Sequence, residues 1–236
     1  MLLLDLADAC RKSGLPIVEV DGWRTRAATD DSGNRELVAV QTIVAHHTAT
    51  PLTVAGDYPT LKTVRDGRSD LPPGPLAQLG LGRSGTVYVI AAGLCWHAGS
   101  TFETSQDNWH AIGIEAEHDG VSPWPDALVD AYARLCAALC QHYGLPAARV
   151  LGHKEIASPA GRKTDPNFDM TAFRARVIAH MEDDMPRYRD WEPEDREALA
   201  TDIAKAVWSF TVDNAGTKAK AALEVAGRAA RKALGI

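Results

Sequence analysis

Residues 111–118, Ala-Ile-Gly-Ile-Glu-Ala-Glu-His, alternate between apolar side chains and small or charged ones. A period of two belongs to a strand, and it commits Ile112, Ile114 and Ala116 to one face and Gly113, Glu115 and Glu117 to the other. The apolar face requires a second layer, and the chain supplies one. Leu128, Tyr132, Leu135 and Leu139 recur at helical spacing, which predicts an amphipathic helix over residues 125–143 closed by Gly144. Phe173, Val177 and Met181 repeat the pattern after Asp169, which can cap that helix. Further strands are expected at 42–46, 86–91 and 149–151, and a short helix ends near Gly14. Strands interleaved with helices predict an α/β fold, a central mixed β-sheet flanked by helices. Residues 67–85, rich in Gly and Pro, read as a long loop bordering a groove.

Two further segments carry chemistry. The run Gln41-Thr42-Ile43-Val44-Ala45-His46-His47-Thr48 is an apolar strand ending in two histidines. In an extended strand they point to opposite faces, and the spacing leaves open which of them faces a site. The second segment joins Gly152-His153-Lys154-Glu155 to Gly161-Arg162-Lys163-Thr164-Asp165-Pro166, and its Gly and Pro residues mark a constrained loop. A catalytic zinc takes three protein ligands and leaves the fourth position to water, whose pKa falls to about 7. His153 and Asp165 offer two ligands. Lys163 lies two residues before Asp165, so an extended chain sets both side chains on one face, with an ammonium where an oxyanion would form. Gly113 leaves space in front of Glu115, and a strand carboxylate facing a zinc-bound water is a natural general base where the fold brings it close. Each residue also has a plainer reading: His153 and Asp165 as a hydrogen-bonded pair, and Glu115 and Lys163 as partners in a salt bridge.

Taken in order, His46-His47-Thr48, Trp96-His97-Ala98-Gly99, Ile112-Gly113-Ile114-Glu115 and the 152–166 segment resemble the zinc-dependent N-acetylmuramoyl-L-alanine amidases of type 2. That family includes phage amidases, peptidoglycan-recycling amidases and the peptidoglycan recognition proteins. The resemblance runs over about residues 41–181, and the Gly161–Pro166 motif is most similar to the recycling-amidase version. It implies one Zn2+ held by His46, His153 and Asp165, Glu115 as the base that activates water, and Lys163 as the group that stabilises the tetrahedral intermediate. It also implies a glycan-peptide groove lined by Trp96 and His97. His47 is then a packing residue, and Glu117 structural or substrate-contacting. The chain departs from many relatives where they carry a tyrosine or alanine followed by His-Phe. Here Ala77 and Gln78 occupy the first two of those places, which removes a tyrosine-assisted mechanism and throws the base role onto Glu115. The third ligand is Asp165 rather than the cysteine of some relatives, and Ser158-Pro159-Ala160 lengthens the loop before Lys163.

The resemblance makes the expected activity hydrolysis of the amide between N-acetylmuramic acid and L-alanine in bacterial peptidoglycan. A phage endolysin is the expected role; a cytoplasmic recycling amidase and a non-catalytic peptidoglycan-binding module are the alternatives. The expected organisation is a catalytic domain over 1–183, a linker at 184–195 and a helical segment over 196–236 that targets the wall or oligomerises. A formal charge of −6 leaves no basic footprint for nucleic acid, and no apolar run is long enough for a transmembrane helix. The start carries acids in its apolar run and no basic region, so a cytoplasmic product without a signal peptide is expected, reaching the wall after holin-mediated release. Of the four cysteines, Cys136 and Cys140 sit one helical turn apart, and all four read as reduced thiols rather than a disulfide framework. Host, stem-peptide preference and oligomeric state are not encoded in any of these features.

Overall fold

The computed structural model describes residues 1–69, 73–183 and 201. Six strands form one sheet: β1 (Ile17–Glu19), β2 (Thr42–His47), β3 (Leu79–Leu81), β4 (Val87–Val89), β5 (Ala111–Ala116) and β6 (Val150–Gly152), in the order β1-β4-β3-β5-β2-β6. All neighbours run parallel except β3 and β4, so the sheet is mixed as the sequence predicts. The helices are α1 (Leu6–Arg11), α2 (Leu61–Asp66), α3 (Asp126–Tyr143), a single turn α4 (His153–Ile156) and α5 (Met170–Asp183). Asp169 Oδ1 accepts the Thr171 and Ala172 amides at 2.7 and 3.2 Å, capping α5 as expected.

The alternation in β5 is realised in full. Ile112, Ile114 and Ala116 join Ile43 and Ala45 of β2 and Leu79 and Leu81 of β3 in one core, covered by Leu128, Tyr132, Leu135 and Leu139 of α3 and Phe173 and Val177 of α5. Each fully buried Ile or Leu there contributes about 1.5–3 kcal/mol through removal of apolar surface from water. The four cysteines are buried and unpaired with one another. Tyr132 adds a polar tie. From α3 its hydroxyl accepts the His46 amide at 3.0 Å and donates to the Ile114 carbonyl at 2.8 Å, joining β2 to β5.

β1 and α2 have no counterpart in the sequence reading, and three further elements depart from it. Residues 67–85 are not one long loop, because Leu79–Leu81 enters the sheet as β3 between β4 and β5. Three residues are too few to show alternation, and Gly80 there answers to a neighbour distant in sequence. The 152–166 segment is not all loop either: β6 ends at Gly152 and His153 opens α4, with the Glu155 carboxylate accepting the Gly152 amide at 2.8 Å. The strand ending at the histidine pair includes His47.

Met1–Glu182 form one compact unit. The linker and C-terminal helical segment expected at 184–236 lie, residue 201 apart, outside the described residues. Among the described residues no helix is long and apolar enough to cross a membrane.

Candidate metal centre

Parallel neighbours in register place side chains on the same face of a sheet. Here His46 on β2 is the partner of Glu115 on β5, and Glu115 is in turn the partner of Gly80 on β3. The face opposite the core therefore carries His46 and Glu115 side by side, with glycines beneath. Ala45 pairs with Gly152, so the end of β6 delivers His153 to the same place. The Lys154 amide donates to the Asp165 carbonyl at 2.7 Å, and Lys154 Nζ donates to the Phe168 carbonyl at 2.6 Å. These bonds fold the 157–168 loop back so that Asp165 meets the two histidines.

The resulting cluster is tight. His46 Nδ1 and His153 Nδ1 lie 3.0 Å apart, and each is 3.1 Å from Asp165 Oδ2. His46, His153 and Asp165 are the one group among the described residues whose ligand atoms could jointly hold a metal ion. His46 and His153 are buried, at 1% and 4% exposure. His153 Nε2 lies 3.0 Å from the Ala98 carbonyl, which can only accept, so the ring carries its proton there and turns the Nδ1 lone pair inward. Asp165 is ionised: burial opposes its charge, but the neighbouring His153 and His46 rings outweigh burial and hold its carboxyl well below the usual carboxylate range. Burial, then the neighbouring His153, brings His46 down to about 4, so its ring is neutral near pH 7. Three lone-pair donors thus converge at separations close to the edge of about 3.3 Å of a tetrahedron with zinc-length bonds. The donor set of two imidazoles and one carboxylate suits zinc.

Glu115 stands beside this cluster. Its Oε2 is shut away from solvent and has no hydrogen-bond partner among the described residues. Burial, reinforced by the Asp165 carboxylate and opposed by Lys163, pushes its pKa up to about 8 in the metal-free protein. An orphaned carboxyl in a cleft with a strongly shifted pKa is the pattern of a group kept for proton transfer. The cavity over it has a volume of about 360 Å3 and is lined by His46, Glu115, His153, Lys163 and Asp165, with Arg68, Trp96, His97 and Arg162 around them. Every residue singled out from the sequence as a ligand, base, oxyanion group or groove residue therefore borders one cavity. His47 lines it too, but outside the ligand cluster, facing Trp124 at 6.2 Å between ring centroids.

Glu117 settles between its two readings. It is fully buried, accepting from Thr48 Oγ1 at 3.0 Å and from the Thr60 amide and hydroxyl, so it braces the turn after β2 against the start of α2. Gly113 differs from the sequence reading. A β-carbon there would lie 2.6 Å from His97 Cγ, so the glycine makes room for His97 and not for Glu115. Gly80 likewise makes room for Tyr58, whose hydroxyl donates to the Glu115 carbonyl at 3.1 Å. Gln78 is fully buried and accepts the Gly113 amide at 2.8 Å. Three supports were not visible in the sequence. Tyr58 is one. Asn108 is another, its Oδ1 accepting the His97 and Ala98 amides at 2.9 and 2.8 Å. The third is Arg162, which donates to the Ala98, Ser100 and Ser158 carbonyls and so ties the 158–165 loop to residues 98–100.

The family model described as N-acetylmuramoyl-L-alanine amidase matches residues 36–168. The 1,6-anhydro-N-acetylmuramyl-L-alanine amidase AmpD of Enterobacter cloacae is 33% identical over 94 residues, which are 38% of this chain and 49% of that protein. The chain thus spans about half the length of the curated relative it matches. Among solved structures, the catalytic domain of XlyA is similar with a TM-score of 0.51 and 18% identity, over 69% of this chain and 99% of that one. That likeness shows a shared fold. A selenomethionine derivative of AmpD is similar at a TM-score of 0.49 and 25% identity, over 68% of this chain and 99% of that one.

Proposed function

This chain belongs to the N-acetylmuramoyl-L-alanine amidase family, and from that premise we propose that it hydrolyses the amide between N-acetylmuramic acid and L-alanine in peptidoglycan, with zinc as cofactor. The observation that carries the reading is the convergence of His46, His153 and Asp165 beside the unpartnered carboxyl of Glu115. Bound there, zinc would supply Lewis acidity and lower the pKa of water toward neutrality. The chain's own residues do the rest. Glu115, kept proton-hungry by burial, takes the proton of the attacking water and hands it to the departing L-alanine nitrogen. With a divalent charge bound in the cluster, the Glu115 pKa would fall below its metal-free position, leaving its carboxylate ionised and able to accept a proton. Lys163, at the cavity wall, sets an ammonium against the charge that develops on the carbonyl oxygen.

The test is release of new L-alanine amino termini from purified cell wall by the zinc-loaded protein. Chelation is expected to abolish it, and Glu115→Gln to reduce it at least about 100-fold. Wall binding with no new termini would favour the non-catalytic module, and a different new amino terminus would mean a peptidase.

Within this activity we propose the role of phage endolysin, reaching the wall through a holin lesion. A recycling role has two observations of its own, the Gly161–Pro166 motif and the match to a 1,6-anhydro-N-acetylmuramyl-L-alanine amidase. Rates on intact cross-linked wall and on a soluble 1,6-anhydro muropeptide separate the two. An endolysin clears the wall, whereas a recycling enzyme works on the soluble fragment and leaves the wall whole.

A further inference from the structure

We propose that His97 is a positioning residue: it dictates which nitrogen of His46 bears the proton, and so presents the Nδ1 lone pair of His46 to His153 and Asp165. The inference rests on the metal-site reading above but concerns a residue outside the ligand set.

A chain of hydrogen bonds behind His46 favours one proton arrangement, in competition with the Asp165 carboxylate at 3.1 Å, which would accept a proton carried on Nδ1. A neutral imidazole has one donor nitrogen and one acceptor nitrogen. His97 Nε2 lies 3.3 Å from the Ala111 carbonyl, which can only accept, so the His97 proton belongs on Nε2 and its Nδ1 is a lone pair. That lone pair faces His46 Nε2 at 3.2 Å. Donation from His46 Nε2 satisfies that lone pair and leaves Nδ1 bare, whereas a proton on Nδ1 would leave two lone pairs, His46 Nε2 and His97 Nδ1, facing each other in a buried site. The bare Nδ1 is the atom that meets His153 Nδ1 at 3.0 Å and Asp165 Oδ2 at 3.1 Å. His153 reaches the same state in one step, through the Ala98 carbonyl. His46 reaches it in two, through a second imidazole. Metal-bound histidines generally rely on such an outer partner, and losing it weakens metal binding about 10–100-fold.

The His97 ring is held in place for this task. It sits edge-on to the His46 ring, with centroids 5.3 Å apart and planes at 81°. Asn108 fixes its backbone through the His97 and Ala98 amides. The ring lies over Gly113, where a β-carbon would come within 2.6 Å of it. One glycine in β5 and one asparagine before it thus hold the orientation of a ring on which a ligand depends.

Two measurements test this. In the metal-free protein, nitrogen-15 NMR of the imidazoles is expected to show His46 as the single Nε2–H tautomer. In His97→Phe, which keeps a ring but no acceptor, a mixture is expected. In zinc titrations against a competing chelator, His97→Phe is expected to bind about 10–100-fold more weakly than the natural protein. His97→Gln, which retains an acceptor, should remain within a few-fold, and Gly113→Ala, which displaces the ring, should fall on the weak side. An Nδ1–H tautomer of His46 in the natural protein, or zinc affinity unchanged in both His97→Phe and Gly113→Ala, overturns the proposal. Should His97→Phe not fold, the glutamine and Gly113→Ala variants carry the same contrast. The metal-site reading fails separately: the natural protein then takes up no zinc, whatever tautomer the spectra show.

Discussion

The two faces of the central sheet are made from the same strands and obey opposite rules. On one face Ile43, Ala45, Ile112, Ile114 and Ala116 interlock with α3 and α5. On the other, His46 and Glu115 stand over a cavity, and the glycines at 80 and 113 are overlain by Tyr58 and His97. The core face fills space with apolar volume. The cavity face omits β-carbons so that rings from distant parts of the chain can lie against the backbone and steer polar groups. The contrast teaches that a single register serves both, since a slip of one residue would send the ligand into the core and the isoleucines into the cavity. Stability and chemistry are thereby assigned to alternate residues, and substitutions on the two faces should fail in different ways.

The largest effect is expected from Asp165→Ala. It should abolish zinc uptake and wall hydrolysis while leaving the zinc-free melting temperature close to that of the natural protein; a collapse of the fold would erase the contrast between the faces. Next, Glu115→Gln should lower kcat about 100–10,000-fold with zinc still bound, as measured by steady-state kinetics and metal analysis. On the core face, Ile114→Ala should cost about 2–5 kcal/mol in denaturant unfolding, with little change in zinc affinity once folded.

Glu115→Gln also sharpens the comparison through pH. In the chelated protein the folded state binds the Glu115 proton more tightly than the unfolded chain, with pKa raised from 4.5 to about 8. Stability from this group is therefore lost as pH rises through that window. His46, held down at about 4 against an ordinary 6.5, acts in the opposite sense between those values, because there the unfolded chain binds more protons. Subtracting one protein from the other removes the His46 contribution. The variant should gain on the natural protein as pH climbs from 4.5 to 8, by on the order of 2–4 kcal/mol, and a flat difference would sink the idea of a carboxyl strained by burial. The smallest effect is expected from Gly80→Ala, at about 1–3 kcal/mol, because the new β-carbon would meet the Tyr58 ring at 2.3 Å.

Much of this was legible in the sequence, and what was not has a common cause. The alternation in 111–116 and the helical spacing in 126–143 are local periodicities, and they yielded β5, α3 and the buried face directly. The order of the histidine, glutamate and aspartate motifs pointed to the residues that line one cavity. The choice between His46 and His47 was not in the spacing; it depends on the pairing of β2 with β5, which sets His46 beside Glu115. Gly113 was misread for the same reason. Its neighbour across space, His97, comes from another segment, and nothing adjacent in sequence hints at a ring lying on that glycine. Short elements escaped as well: β3 has three residues and α4 four, too few to display a period.

The Tyr132 hydroxyl has a consequence for how the molecule can be observed. It reaches from α3 to the amide of His46 and the carbonyl of Ile114, so a backbone proton beside the ligand cluster is guarded by a side chain from the far layer. Solvent exchange at that amide therefore reports whether α3 is seated, not whether the cavity is occupied. Loosening the helix from behind is a way to disturb His46 with nothing entering from the front.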